Sequence, residues 1–205
     1  GGGFMLIHKD GQGDFIDYRE TAPNAAHRDM YLDEQGQVIE NKSIYGIHAS
    51  GVPGSVAGMW LAHKKHGTLP WKALVQPAVT LAEQGFVVPE KLAQLIEDYI
   101  AHLNNKNIKV NFANYFASAT SGKLFKQPEL AATLKRIRDN GKDGFYQGET
   151  AAIIANFMKQ HGGIITQDDL KNYRAKSRTP IKANWNGYQV LTSPPPSSGG
   201  IAILQ

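Results

Sequence analysis

Arg19 is the residue whose type and position are best suited to bind a ligand. It follows a short apolar segment directly, within the order Asp17-Tyr18-Arg19-Glu20-Thr21-Ala22-Pro23. The end of a strand holds a side chain at the rim of a sheet, where a guanidinium can bind a carboxylate through two parallel hydrogen bonds. The same residues also allow a salt bridge between Arg19 and Asp17 or Glu20. The local pattern leaves both interpretations open.

Other reactive side chains lack the partners that their chemistry needs. Ser197-Ser198 precedes two glycines but does not stand in the G-x-S-x-G order of a nucleophile elbow, so a structural corner is favoured. His63 and His66 are three residues apart on one predicted helix, with no third ligand in the pattern, and we expect no metal site. The chain has no cysteine, which excludes a cysteine nucleophile and thiolate metal sites.

Composition places the chain among ordinary globular proteins. It has 205 residues, 41% of them hydrophobic and 20% charged, which suits one domain or two small ones. The net charge is +4, but the basic residues are scattered. The two dense patches, 63–66 and 135–138, fall late in predicted helices, where cations are favourable. We therefore expect no nucleic-acid partner, and no apolar run approaches the roughly 20 residues of a membrane-spanning helix.

Apolar residues at helical spacing, bounded by Gly and Pro, predict a largely helical middle of the chain. In the first helix the apolar face is predicted to hold Val56, Met59, Trp60 and His63, and in the second Pro77 is predicted to cause a break. Thr166 and Asp169 resemble a capping box at a helix start. The six predicted helices lie between Gly51 and Gly67, between Pro70 and Gly85, from Pro89 to Leu103, from Pro128 to Gly141, around Ile153–Met158, and from Thr166 to Tyr173.

Strands are predicted near both ends of the chain. Phe4–His8 and Phe15–Tyr18 flank a turn, and the alternating residues on either side of Asn186-Gly187 predict a second hairpin. The segment that follows, Pro194–Gly200, is predicted to be stiff and then flexible. The predicted fold class is therefore α+β, mainly helical with terminal hairpins.

Gly51, Gly54 and Gly58 are spaced too widely for a dinucleotide-binding fingerprint. The pattern favours a tight turn followed by close packing of a helix against a neighbouring segment.

Six segments, taken in their order along the chain, resemble the large subunit of the γ-glutamyltranspeptidase (glutathione hydrolase) family. Each segment is short, but together they extend over nearly the whole sequence. They are Gly1–Met5, Asp17–Pro23, Gly51–Gly58, Gln76–Phe86, Gly163–Leu170 and Pro194–Gly200.

The resemblance implies an N-terminal nucleophile hydrolase, in which a precursor cleaves itself and both subunits share one αββα sandwich. The threonine freed by cleavage attacks the γ-glutamyl amide of glutathione or related compounds and forms a γ-glutamyl-enzyme. Water, an amino acid or a peptide then takes the acyl group. The resemblance implies no cofactor and no metal, and its expected partner is the small catalytic subunit of the same precursor.

Residue by residue, the resemblance assigns one binding role to this chain. Arg19 matches the arginine that binds the α-carboxylate of the γ-glutamyl group, and Glu20 is expected to orient Arg19. No catalytic residue of the family falls in this chain, because the threonine and its neighbours belong to the small subunit.

The resemblance also implies that residues 1–205 are a single, interior fragment of the large subunit. A signal peptide would lie upstream of Gly1, and a periplasmic or secreted location is expected. Two alternatives remain: a non-catalytic structural fragment, or a family relative that acts on poly-γ-glutamate or cephalosporin side chains.

Overall fold

The computed structural model describes residues 1–205, which form nine α-helices and seven short strands. The helices are α1 (Ser55–His66), α2 (Trp71–Gln84), α3 (Glu90–Asn105), α4 (Phe112–Phe116), α5 (Pro128–Asn140), α6 (Asp143–Tyr146), α7 (Gly148–Gln160), α8 (Gln167–Asn172) and α9 (Gly199–Leu204). The strands are β1 (Phe4–Lys9), β2 (Gln12–Asp17), β3 (Phe86–Val87), β4 (Leu124–Phe125), β5 (Lys176–Arg178), β6 (Ile181–Trp185) and β7 (Tyr188–Thr192). This mixture of helix and strand confirms the predicted mainly helical α+β class.

The N-terminal hairpin is the centre of the largest sheet. β1 and β2 pair antiparallel around Asp10 and Gly11, which both have positive φ. β5 adds to the other edge of β2, so the strand order is β1-β2-β5. The neighbouring residues Phe15 and Ile16 point to opposite faces of β2, and both are buried. β2 is therefore covered on both sides and ends at a fixed point beside Arg19.

The C-terminal hairpin forms as predicted, and a helix follows it. β6 and β7 pair around Asn186 and Gly187, whose φ values of 47° and 82° are those of a type I′ turn. The predicted flexibility at the end of 194–200 is wrong, because Gly199 begins α9. Gly200 lies so close to the backbone of Ser193 that a side chain would not fit there.

The six predicted helices are all present, but two details of the prediction are wrong. α2 runs without a break through Pro77, packs most extensively against α5, and has Val79 buried beyond the proline. In α1 the buried residues are Ala57 and Gly58, whereas Met59 is 48% exposed. Gly58 faces inward because only a residue without a side chain allows the Tyr18 ring to approach so closely, and Ala57 packs in the hydrophobic interior.

Two hydrophobic clusters form the interior. One joins the start of α1 to α6, α7 and α8, and its members are Val52, Ala57, Tyr146, Ala151, Met158, Ile165, Leu170 and Tyr173. The other lies around β3, β4 and α3, with Val88, Ala93, Ile96, Ala119 and Phe125. The first cluster supports the residues around Arg19. None of the helices is both long enough and apolar enough to cross a membrane.

Candidate functional site

Arg19 lies two residues beyond the end of β2, at a cleft of about 180 Å³. The cleft is lined by Asp17, Arg19, Glu20, Thr21, Tyr173, Arg174, Lys176 and Pro196. Three of these residues carry a positive charge and two a negative charge, so the lining has an excess of one positive charge. Such a lining favours a small anion over a cation.

The guanidinium of Arg19 has no hydrogen bond within the chain. Its side chain is 48% exposed, and its nearest carboxylate is Glu20, with Nη2 and Oε1 4.0 Å apart. The Arg19 Cζ atom lies 5.8 Å from the centre of the Phe4 ring. A contact of 4.0 Å in water contributes little, so the fork of N–H donors remains available for a ligand.

Asp17 holds the backbone of Arg19, not its side chain. One carboxylate oxygen accepts a 3.1 Å hydrogen bond from the Arg19 N–H, and the other accepts a 2.8 Å bond from Arg178 Nε. Asp17 is almost fully buried, and its negative charge is balanced by the ion pair with Arg178 on β5. The interpretation of an Arg19–Asp17 salt bridge is therefore wrong.

Tyr173 holds the other polar group of the Arg19 backbone. Its hydroxyl donates a 2.7 Å hydrogen bond to the Arg19 carbonyl, and its ring stacks on Tyr146 with centroids 5.6 Å apart and planes 8° apart. The Tyr146 hydroxyl in turn donates to the Pro53 carbonyl at 2.7 Å and accepts the Ala57 N–H at 3.2 Å. Burial raises the pKa of Tyr146 to about 12 and also raises the pKa of Tyr173. Both phenols therefore remain hydrogen-bond donors at neutral pH.

Glycines let neighbouring segments approach the Arg19 segment closely. A Cβ at Gly54 would overlap the Tyr18 carbonyl and the Tyr173 hydroxyl, and one at Gly58 would overlap the Tyr18 ring. Two backbone hydrogen bonds join Thr21 and Val52, at 3.3 and 2.8 Å. The prediction of close packing at these glycines is confirmed.

The segment beyond Arg19 is anchored to the start of α8. Asp169 forms the predicted capping box with Thr166, and its other oxygen accepts a 2.8 Å hydrogen bond from the Asn24 N–H. Burial opposes ionisation of Asp169, but hydrogen bonds from Asn24 and Thr166 outweigh it and lower the pKa of that carboxyl. Asp169 therefore caps α8 and also holds the segment that follows Arg19.

Comparison with known proteins decides the family. The model of the family described as Gamma-glutamyltranspeptidase matches residues 1–205. The chain belongs to the gamma-glutamyltranspeptidase family. This confirms the resemblance that the six sequence segments indicated.

Individual relatives agree with this assignment. The chain is 48% identical over 205 residues to the glutathione hydrolase proenzyme of Pseudomonas aeruginosa and 47% identical over 208 residues to that of Escherichia coli. All of the chain is covered in both cases, but it spans only 36% of each relative's length. The solved structure of the Pseudomonas nitroreducens gamma-glutamyltranspeptidase, complexed with L-DON, superposes with a TM-score of 0.92 at 51% identity, covering 99% of this chain and 60% of that one.

The other candidate residues from the sequence, two serines and two histidines, form contacts of their own and do not join one site. Ser197 shares a 3.0 Å hydrogen bond with Ser193, and Ser198 directly precedes α9. His63 Nε2 lies 2.8 Å from the Leu69 carbonyl, whereas His66 Nε2 lies 2.7 Å from Asp14. The structure contains no group of three or more His, Asp or Glu side chains that could hold a metal ion.

Sequence reasoning missed Tyr173 as a support of Arg19. The tyrosine is 154 positions away from Arg19, and no local spacing relates the two. The nearest usable signal was the capping box at Thr166, which predicts that the helix before Tyr173 is well fixed.

Proposed function

We propose that this chain is an interior part of the large subunit of a γ-glutamyltranspeptidase, and that Arg19 binds the α-carboxylate of the γ-glutamyl donor. One observation carries the proposal: the Arg19 guanidinium has no internal hydrogen bond, although both polar groups of its backbone are held by other side chains. Glu20, at 4.0 Å, is proposed to limit the directions that the guanidinium can take.

The proposed reaction is cleavage of a γ-glutamyl amide bond, as in glutathione. A threonine of the small subunit, outside this chain, forms a γ-glutamyl-enzyme, and water, an amino acid or a peptide takes the acyl group. Residues 1–205 supply binding and orientation. A permanently charged, planar guanidinium matches the two oxygens of a carboxylate, and fixing that end of the donor places the amide carbon for attack.

The same proposal includes the assembly. The three-stranded sheet β1-β2-β5 would form part of an αββα sandwich completed by the remainder of both subunits. Family membership supports a mature enzyme without a cofactor, in the periplasm or secreted.

Substitution of Arg19 in the complete, processed enzyme tests the proposal. With a γ-glutamyl p-nitroanilide as donor, Arg19→Ala should lower kcat/KM by about 30-fold to several thousand-fold, since removing one side of a buried charge pair costs about 2–5 kcal/mol. The kcat/KM of Arg19→Lys should lie between those of wild type and Arg19→Ala, because lysine keeps the charge and loses the planar fork of donors. A kcat/KM for Arg19→Ala within threefold of wild type would refute the proposal.

Arg28 provides the matched control. Its side chain is 93% exposed and pairs only with the adjacent Asp29. Arg28→Ala removes the same side chain from the same loop region, and it should leave kcat/KM within twofold of wild type.

The isolated chain of residues 1–205 is expected to be inactive, because the nucleophile is proposed to lie in the small subunit. The measurement is release of p-nitroaniline by the purified chain. Turnover that persists through purification and is blocked by a γ-glutamyl analogue would show that the nucleophile is in this chain instead.

A further inference from the structure

We infer that Tyr173 is a positioning residue for Arg19: its hydroxyl holds the Arg19 carbonyl, and so directs the guanidinium toward the donor carboxylate. The inference rests on the proposed function of Arg19. It starts from the 2.7 Å hydrogen bond between the two residues, which joins α8 to the end of the largest sheet.

Arg19 needs such support because it lies outside regular structure. The strand β2 ends at Asp17, and residues 18–20 belong to no helix or strand. The Arg19 N–H is held by the Asp17 carboxylate, and the Arg19 carbonyl by Tyr173. These two side chains do for residue 19 what a hydrogen-bonded ladder does within a strand.

Tyr173 is itself fixed by both its ring and its backbone. The residue is 6% exposed, and its ring stacks on Tyr146, which is anchored by hydrogen bonds to Pro53 and Ala57. Its backbone ends α8, whose first turn is fixed by the Thr166–Asp169 capping box. The hydroxyl is therefore a rigid donor, and its position follows from the first hydrophobic cluster.

Small backbone changes at residue 19 are amplified at the end of a long side chain. Binding groups work only when they are held within about 0.5 Å and 10–20° of the productive geometry. Loss of the Tyr173 hydroxyl leaves the Arg19 carbonyl without its partner, so the backbone turns to find another one. The guanidinium then leaves the orientation in which it can bind a carboxylate with both arms.

The test is Tyr173→Phe in the complete, processed enzyme. This change removes only the hydroxyl and keeps the stacked ring. We expect KM for a γ-glutamyl p-nitroanilide to rise about five- to fiftyfold, while kcat changes less than threefold, because the defect is in binding the donor. Normal appearance of both subunits on a gel verifies that the variant folds and processes.

Tyr31→Phe is the matched control. It also removes a phenol hydroxyl that donates to a backbone carbonyl, that of His48 at 3.1 Å, but Tyr31 belongs neither to the lining of the cleft nor to the first hydrophobic cluster. It should leave KM within twofold. An equal rise of KM in both variants would show that the effect does not depend on the Arg19 carbonyl and would overturn the inference.

A double-mutant cycle with Arg19→Ala separates this inference from the proposed function. If Tyr173 acts through Arg19, Tyr173→Phe should lower kcat/KM of the Arg19→Ala enzyme by less than twofold. Full additivity overturns the positioning role. If Arg19→Ala alone has no effect, the proposed function fails; if it has its effect but Tyr173→Phe has none, only the positioning role fails.

Gly54→Ala offers a second route to the same hydrogen bond. The added Cβ would overlap both the Tyr173 hydroxyl and the Tyr18 carbonyl, so these groups would have to move apart, although Tyr173 keeps its hydroxyl. KM should rise in this variant as well, and an unchanged KM in a folded, processed Gly54→Ala enzyme would contradict the inference even if Tyr173→Phe failed to fold.

Discussion

Arg178 and Asp17 form an ion pair across the two strands that lead to the cleft, with Arg178 Nε 2.8 Å from Asp17 Oδ2. Arg178 stands opposite Phe15 in the register of β5 and β2, so its side chain reaches diagonally to Asp17. The Asp17 side chain is 8% exposed and that of Arg178 34%. The pair closes the end of the sheet at the point where the chain departs toward Arg19.

Asp17→Asn should destabilise the enzyme. The amide keeps an acceptor for the Arg19 N–H but leaves Arg178 without its counter-charge. Breaking a fully buried ion pair would cost more stability. Because Arg178 is partly exposed, we expect a loss of about 1–2 kcal/mol. The measurement is the free energy of unfolding in urea at pH 7. Asp29→Asn, which breaks the exposed pair with Arg28, should change it by less than about 0.5 kcal/mol; equal losses in both variants would contradict this account.

Gly58→Ala should destabilise the protein, against the usual direction for a helix. In an exposed helix interior this change gains about 1 kcal/mol through helix propensity. At Gly58 the new Cβ would overlap the Tyr18 ring, and overpacking of this kind costs about 1–3 kcal/mol. The midpoint of thermal unfolding should therefore fall.

Gly199→Ala is the control for that prediction. Gly199 begins α9, and a Cβ there would meet only the Ser197 hydroxyl, at 3.6 Å. Its unfolding midpoint should stay the same or rise slightly. A rise for Gly58→Ala as well would show that Tyr18 moves aside easily.

The local features of this fold were predictable from sequence because their causes are local. Pro70 and Gly85 bound α2, Thr166 caps α8, and Asn186-Gly187 makes a type I′ turn, each through interactions within a few residues. Predictions of helix ends, caps and turns were confirmed, but the break at Pro77 and the flexibility at the end of 194–200 were wrong. At Pro77, packing of α2 against α5 outweighs the hydrogen bond that proline cannot donate.

What the sequence did not show depends on long-range contacts. The place of Arg19 after a strand singled it out but left ligand binding and a salt bridge both open. Its supports are distant in sequence, because the Asp17–Arg178 pair spans 161 positions and the Tyr173–Arg19 bond 154. The inward face of α1 was predicted wrongly for the same reason. Hydrophobic spacing favours the larger side chains, whereas the inward face holds Gly58, packed against the Tyr18 ring, and Ala57, in the first hydrophobic cluster.

Gly187→Ala should weaken the C-terminal hairpin and leave the N-terminal one unchanged. The φ of 82° at Gly187 is unfavourable for a residue with a Cβ, at a cost of about 1–2 kcal/mol. Because β6 and β7 pair only with each other, amide hydrogen exchange should accelerate there and not in β1 and β2. Asn186→Gly, which keeps the turn conformation accessible, should exchange like wild type. Faster exchange throughout the chain after Gly187→Ala would mean that the hairpin and the main sheet unfold together.

Asp169→Asn should reduce stability in a pH-dependent way. The folded-state pKa of Asp169 lies below its ordinary value of 3.8, so the unfolded chain takes up a proton before the folded chain does as the pH falls. The stabilisation by this carboxylate is therefore fully present above the unfolded-state pKa and is lost as the pH falls through the folded-state pKa. The difference in unfolding free energy between wild type and Asp169→Asn should be about 1–2 kcal/mol at pH 7, stay nearly constant to about pH 5, and shrink below pH 4.

Asp168→Asn separates the effect of these hydrogen bonds from that of a negative charge near a helix start. Asp168 lies in the same first turn of α8 but is exposed, and its carboxylate accepts no hydrogen bond. Urea unfolding of both variants between pH 3 and pH 8 should give a loss for Asp168→Asn below about 0.5 kcal/mol, the small share expected from the helix dipole at an exposed site. If the two variants lost the same free energy of unfolding at pH 7, the helix dipole would account for the stabilisation by the Asp169 carboxylate. If the Asp169→Asn difference instead grew as the pH fell, the carboxylate would be destabilising in the folded state, contrary to its three hydrogen bonds from Asn24 and Thr166.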